Sequence, residues 1–110
     1  MNGMTHIDLA RFEASATQAA ALLKALSNEK RLMILCRLGD GELQAGALCP
    51  LVGLSQSALS QHLALLRDEG LVATRREGQA IFYHIADPAV VRVIATLAAI
   101  FNPHSPEQAS

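Results

Sequence analysis

Apolar residues recur at three- and four-residue steps over two stretches near the start of the chain, which is the spacing of one face of an α-helix. The first stretch, 8–26, is rich in alanine and predicts a long helix. Ser27 fits the N-cap of a second helix over 28–38. The Gly-Asp-Gly turn at 39–41 ends that helix, because glycine and aspartate favour turns over helix interiors.

The middle of the chain predicts two further helices joined by a tight turn. The first covers about 46–52, and Gly53 can end it in the left-handed conformation. Ser55 fits the N-cap of the second, which covers 56–69. One side of this helix is apolar, with Leu59, Leu63 and Leu66. The opposite side is small and uncharged, with Ser57, Ser60, Gln61 and Ala64.

The rest of the chain predicts a β-hairpin and a last helix. Runs 71–76 and 80–85 flank a three-residue connection centred on Gly78, and the second run alternates Ile81, Tyr83 and Ile85 onto one face. Asp87 and Pro88 open a helix that runs to about Phe101, before a polar tail over 102–110. Helix, turn, helix and hairpin together predict a mainly α winged helix-turn-helix. With 110 residues the chain forms a single domain, with its core over about 8–101.

The last helix predicts how the chain assembles. It is apolar almost all round, and Arg92 and Thr96 are nearly its only polar side chains. One face can pack on its own domain, whereas the other needs a partner. The first helix is also short of polar residues. A two-fold homodimer through the first and last helices is therefore predicted, with a self-contained monomer core as the alternative.

A winged helix usually places the second helix of its helix-turn-helix in the major groove of double-stranded DNA. The side chains expected at base edges or phosphates are Ser55, Gln56, Ser57, Ser60, Gln61, His62 and Arg67. Arg75 and Arg76 in the hairpin can neutralise phosphates beside the groove. A winged helix that only contacts other proteins is the alternative.

Charge and composition bear on the binding partners and the cellular compartment that we expect for the protein. With 9 basic and 10 acidic residues the formal net charge is -1, which by itself favours no electrostatic partner. Its distribution matters more, because residues 43–66 contain no acidic side chain that phosphates would repel. Cations outside this stretch can extend the DNA-binding face, namely Arg11, Lys24, Lys30, Arg31 and Arg37. Without a signal-peptide pattern or an apolar membrane span, we expect a cytoplasmic protein with reduced cysteines.

Four strings in the chain resemble the ArsR/SmtB family of winged-helix repressors. They are Ala-Leu-Ser-Asn-Glu-Lys-Arg-Leu at 25–32, Leu-Ser-Gln-Ser-Ala-Leu-Ser-Gln-His-Leu at 54–63, Leu-Arg-Asp-Glu-Gly-Leu-Val at 66–72 and Gly-Gln-Ala-Ile-Phe-Tyr at 78–83. The resemblance covers about 20–101. It implies a homodimeric repressor that leaves its operator DNA when an inducer binds or reacts.

The family's metal sites are not retained in this sequence. The ligand pair at the start of the third helix would fall on Gln44 and Gly46, neither of which carries a thiol. The last-helix site would fall on Asp87, Ala89, Ile100 and Pro103, and only the aspartate can bind a metal. The histidines, His6, His62, His84 and His104, have no ligand-like spacing. We therefore expect no metal and no other cofactor, and we expect His62 to serve helix packing or a phosphate contact.

The sequence most resembles the thiol-sensing branch of the family that includes the BigR, SqrR and HlyU repressors, through Leu-Met-Ile-Leu-Cys at 32–36 and the fourth helix. In that branch a cysteine at the Cys36 position links to a second cysteine near the end of the last helix when reactive sulfur species or oxidants appear. The second position is Asn102 here. The resemblance thus implies a redox-sensing thiol whose usual intramolecular partner is missing.

Three interpretations of Cys36 are open. It is a small apolar core residue, a single reactive thiol that takes a persulfide or a mixed disulfide, or the partner of Cys49 in a disulfide, which needs Cα atoms within about 7 Å. The primary hypothesis is a repressor released from DNA by modification of Cys36. The rival is a constitutive regulator or protein-interaction module without an inducer. No carboxylate pair or phosphate-binding glycine loop indicates an enzyme.

Overall fold

A computed structural model of the chain describes residues 7–102. Its elements, in chain order, are α1 (Leu9–Leu26), α2 (Glu29–Leu38), β1 (Glu42–Gln44), α3 (Ala45–Val52), α4 (Gln56–Asp68), β2 (Val72–Glu77), β3 (Ala80–Ile85) and α5 (Pro88–Phe101). This arrangement confirms the predicted mainly α winged helix-turn-helix. Only β1 was not predicted.

The junction between α1 and α2 differs from the prediction. Ser27 is not the N-cap of α2, because its hydroxyl donates to the carbonyl of Lys24 at 2.7 Å and so closes α1. The cap is Asn28, whose side-chain oxygen accepts from the backbone N–H groups of Lys30 and Arg31 at 2.9 and 3.0 Å. An amide oxygen one residue closer to the helix reaches two free donors at once, and such a cap contributes about 1 kcal/mol.

A short strand turns the hairpin into a three-stranded antiparallel sheet. β1 lies on the far side of β3 from β2, so the strand order is β1-β3-β2. Glu42 lies opposite His84, and Gln44 lies opposite Phe82. A strand of three residues is too short to show a period of two along the sequence, which is why the pattern missed it.

The connection between the two strands of the hairpin is one residue shorter than predicted. Glu77 pairs with Ala80, so the connection has two residues rather than three. Gly78 has a φ of 62°, and no other residue type takes a positive φ in the described chain. A positive φ at the first loop position alone is that of a type II′ turn, which matches the twist of the strands and favours glycine there.

The core lies where α2, α3 and α4 meet the inner face of the sheet, and the start of α5 closes one side. The larger fully buried side chains are Ile34, Leu35, Leu48, Leu59, Leu66 and Val90. Leu63 is also buried, so the predicted apolar side of α4 is confirmed. Truncating one of these leucines to alanine is expected to cost about 2–5 kcal/mol. This packing fixes the orientation of α4 and leaves its other side in solvent.

The two terminal helices keep large apolar surfaces in solvent. On α1, Leu9 and Leu23 are 68% and 61% exposed, and on α5, Ile100 and Phe101 are 59% and 78% exposed. Only Val90 of α5 is fully buried. Within residues 7–102, no helix combines the length and the apolar character needed to cross a membrane.

Candidate nucleic-acid interface and thiol site

The helix-turn-helix consists of α3, a tight turn and α4. Gly53 takes the left-handed conformation at the end of α3, with a φ of 69°. The hydroxyl of Ser55 then caps α4 by accepting from the N–H of Ala58 at 3.1 Å. Both features were predicted. Five predicted DNA-binding side chains of α4 are exposed on the surface of this helix, namely Gln56, Ser57, Ser60, Gln61 and Arg67.

The hairpin of β2 and β3 is the wing of the winged helix. A groove of about 560 Å³ separates α4 from this wing. It is lined by Ser60, Leu63, Ala64, Arg67, Asp68 and Tyr83. Two of the predicted DNA-binding residues, Ser60 and Arg67, therefore line one groove beside β3. The Asp68 carboxylate in the same groove reduces the net positive charge there, and sequence spacing alone did not place it in this groove.

The two wing arginines have different surroundings. Arg76 is exposed. The Arg75 guanidinium is paired: its Nε donates to both carboxylate oxygens of Glu42, at 3.0 and 3.2 Å. It also lies 4.7 Å from the centre of the Phe82 ring and 3.5 Å from the carboxylate of Glu77. Hydrogen bonding to Arg75 holds the pKa of the Glu42 carboxyl below its ordinary value. Glu42 was missed because it belongs to the unpredicted strand.

Two cations expected to extend the DNA-binding face bind backbone carbonyls instead. Lys30 Nζ donates to the carbonyl of Val52 at 2.9 Å, near the end of α3. Arg31 Nε donates to the carbonyl of Ala25 at 2.8 Å, near the end of α1. Each satisfies an acceptor that helix geometry leaves unpaired. These bonds tie α2 to its neighbours and reduce the cationic groups available to DNA.

His62 is half-buried on α4. Burial lowers the pKa of its imidazole, and the positive charge of Arg31 lowers it further. A lowered pKa favours the neutral ring, which fits the predicted packing role. A phosphate contact by the neutral ring uses a hydrogen bond rather than a full charge.

The described residues bring together no set of three or more histidine, cysteine, aspartate or glutamate side chains able to hold a metal ion. Asp87 caps α5 instead, accepting from the N–H of Ala89 at 2.9 Å. His84 Nδ1 is buried without a hydrogen-bond partner among residues 7–102. His6, Pro103 and His104 lie outside the described residues.

Cys36 is exposed, so its interpretation as a core residue is wrong for this chain by itself. It lines an apolar pocket of about 270 Å³ between α2 and α5, together with Leu32, Ile94, Leu97, Ala98 and Phe101. Partial burial against these groups raises the pKa of the thiol, and Arg37 opposes the rise only in part. Asn102, at the expected position of a second cysteine, ends α5 directly after a pocket residue.

Cys49 has a packing role. It is half-buried, and its side chain packs against the buried core cluster from α3. Both cysteines are free thiols, so the disulfide between Cys36 and Cys49, one of the three open interpretations, is not formed in this structure.

Residues 28–74 match the sequence model described as bacterial regulatory protein, arsR family. The HTH-type transcriptional regulator YgaV of Escherichia coli K12 is 54% identical over 97 residues, covering 87% of this chain and 98% of that protein. The transcriptional activator HlyU of Vibrio cholerae is 50% identical over 91 residues, covering 83% and 84%.

Solved structures agree with these sequence matches. The transcriptional repressor BigR from Xylella fastidiosa superimposes with a TM-score of 0.81 at 38% identity, covering 86% of this chain and 97% of that chain. The homodimeric winged helix-turn-helix DNA-binding domain Mb0332 from Mycobacterium bovis superimposes with a TM-score of 0.72 at 36% identity, covering 86% and 87%.

Proposed function

The chain belongs to the ArsR family of bacterial regulatory proteins, and from that premise we propose that this DNA-binding transcriptional regulator is a homodimeric repressor released from its operator when Cys36 is modified. The observation that carries the proposal is the position of Cys36 in an apolar pocket whose other wall is α5. In this pocket the thiol lies beside α5, a helix whose apolar face is exposed in one copy of the chain.

The exposed side of α4 supports DNA reading by this helix. Ser57, Ser60 and Gln61 present hydroxyl and amide groups that donate and accept hydrogen bonds, as base edges in the major groove require. A glutamine suits adenine, which offers one donor and one acceptor side by side. The phosphate contacts we propose are Arg67, which lines the groove, and Ser55 and Gln56, which lie at the start of α4.

A second copy of the chain is the proposed cover for the apolar faces of α1 and α5. Leu9 and Phe12 on α1, and Ile100 and Phe101 on α5, are each more than half exposed in one copy. Large apolar side chains left exposed in this way mark an interaction site, and the related Mb0332 domain is homodimeric. In such a dimer two α4 helices enter successive major grooves, about 10 base pairs apart.

Modification of Cys36 would act through volume. When the thiolate takes the outer sulfur of an organic persulfide, the persulfide leaves as a thiol and Cys36 gains one sulfur atom. The added atom enters a pocket bounded by Leu97, Ala98 and Phe101 of α5. Where a second copy closes this pocket over α5, added volume is accommodated only by a shift in the packing, so α5 moves relative to α2. If α5 joins the two copies, that movement changes the spacing of the two α4 helices.

The test is a titration of upstream promoter DNA with wild type, Cys36→Ser and Cys49→Ser, each reduced, after an organic persulfide, after peroxide, and with zinc. We expect tight binding by all three reduced proteins. Persulfide or peroxide should weaken binding by wild type and Cys49→Ser but leave Cys36→Ser bound. Release of Cys36→Ser to the same extent as wild type would remove Cys36 from the mechanism, and release only by zinc would replace thiol sensing with metal sensing.

A constitutive regulator without thiol sensing is the second candidate. Two observations favour it: Asn102 stands where the second cysteine is expected, and the raised pKa of Cys36 lowers its reactivity at neutral pH. Alkylation of both cysteines with no change in operator affinity would support this candidate over thiol-controlled release.

A further inference from the structure

Three neighbours, Phe82, Glu42 and Glu77, hold the Arg75 side chain flat on the outer face of the wing. Arg75 lies directly opposite Phe82 on the next strand, and its guanidinium stacks over that ring. Beyond the ring it reaches Glu42 on β1, the strand at the other edge of the sheet. The side chain therefore crosses β3 instead of extending away from the sheet towards a ligand.

The Glu42 carboxylate makes the contacts that a phosphate group would make. Carboxylate and phosphate are both anions with two oxygens that fit the donor fork of arginine. Both Glu42 oxygens accept from Arg75 Nε, and one also accepts from a terminal nitrogen. In the free protein one of the two cations that the wing would offer to DNA is thus already neutralised.

The pair is open to exchange. The Arg75 and Glu42 side chains are 45% and 34% exposed, so a phosphate can approach the guanidinium from solvent. An ion pair at this exposure contributes little to folding, since water and salt screen it. The fold does not depend on it, whereas an approaching DNA strand meets it directly.

We propose that Glu42 is an intramolecular competitor for DNA: it occupies on Arg75 the place that a backbone phosphate would otherwise take. The inference rests on the proposed DNA-binding function and on the expectation from the sequence that Arg75 contacts phosphates. The competitor lowers affinity for every DNA sequence, because phosphates carry no base identity. It also lowers the salt dependence of binding, because a guanidinium already paired to carboxylate releases fewer counterions from DNA.

The experiment measures affinity of the reduced protein for operator and for unrelated duplex DNA from about 0.05 to 0.3 M salt, a range over which counterion release is readily measured. Glu42→Gln keeps the size and the acceptor but removes the charge. We expect affinity for both DNAs to rise about three- to tenfold near 0.1 M salt, with the slope of log affinity against log salt steeper by about 0.9, the value for one added phosphate contact.

Glu13→Gln is the matched control, since it removes the same charge from an exposed position on α1. It should leave the salt slope unchanged. In the double variant Glu42→Gln/Arg75→Gln the gain should disappear. The inference is overturned if Glu42→Gln weakens binding, which would make Glu42 a positioning residue, or if it acts like Glu13→Gln.

Two further outcomes separate this inference from the proposed function. If the double variant Glu42→Gln/Arg75→Gln binds DNA more tightly than Arg75→Gln alone, Glu42 acts by general charge and the competition at Arg75 is wrong. If the reduced wild type binds the operator no better than unrelated DNA, the proposed operator function fails, whatever Glu42 does.

Discussion

At the residue scale, Cys36 is open to solvent yet less acidic than an ordinary thiol. One side of it lies against apolar side chains of α5, and this partial burial outweighs the effect of Arg37 on the pKa. The thiolate is the reactive form of cysteine, so the fraction able to react at neutral pH is small. Control by this thiol would then depend on strongly reactive sulfur species or on pH.

The alkylation rate of Cys36 should show this directly. In Cys49→Ser, where Cys36 is the sole thiol, reaction with iodoacetamide at pH 7.5 should be slower when the protein is folded than when it is unfolded in urea. The folded rate should continue to rise at pH values where the unfolded rate has levelled off, above the ordinary pKa of about 8.5. Mass spectrometry of quenched samples measures both rates. A folded rate at pH 7.5 above the unfolded one would contradict the raised pKa.

At the element scale, α4 has two sides with different tasks. Leu59, Leu63 and Leu66 fix the helix in the core, and the opposite side carries short polar groups. This division follows from helix periodicity, and it was predicted from the sequence. The wing was predicted as a hairpin. The added strand β1 and the pairing of Arg75 with Glu42 were not predicted.

Gln61→Ala separates the two tasks of α4. Gln61 is exposed and lies outside the core, so thermal stability should change little. Operator affinity should fall by about 1–3 kcal/mol if the amide makes a bidentate contact with a base. Affinity for unrelated duplex DNA, measured by fluorescence anisotropy at the same salt, should stay the same. An equal loss on both DNAs would mean that Gln61 contacts the backbone and not a base.

At the scale of the whole molecule, one copy of the chain leaves apolar faces of its two terminal helices in solvent. Exposed apolar side chains lie on both α1 and α5, at the two ends of the described chain. The pocket of Cys36 opens on the same helix α5. In the proposed dimer, a chemical change at Cys36 can therefore affect the interface, because both involve α5.

Ile100→Glu tests the dimer. A charge buried without a partner costs several kcal/mol, so the dimer dissociation constant should rise by about 100-fold or more, with each 1.4 kcal/mol worth a factor of ten. Sedimentation equilibrium measures this, and operator affinity should fall with it. Asp40→Lys, an exposed charge change in the turn before β1, should leave the dimer intact. A variant Ile100→Glu that stays as dimeric as wild type would exclude α5 from the interface.

The sequence by itself determined the helices, the hairpin and the exposed polar side of α4, because periodicity, turns and the Ser55 cap are set by residues close together in the chain. Contacts between distant residues were decided only by the tertiary structure. Glu42 and Arg75 are 33 positions apart and meet because β1 adds to the edge of the sheet. Likewise, α5 packs beside α2 and decides that Cys36 lines a pocket instead of lying in the core, since exposure depends on which surfaces the fold brings together.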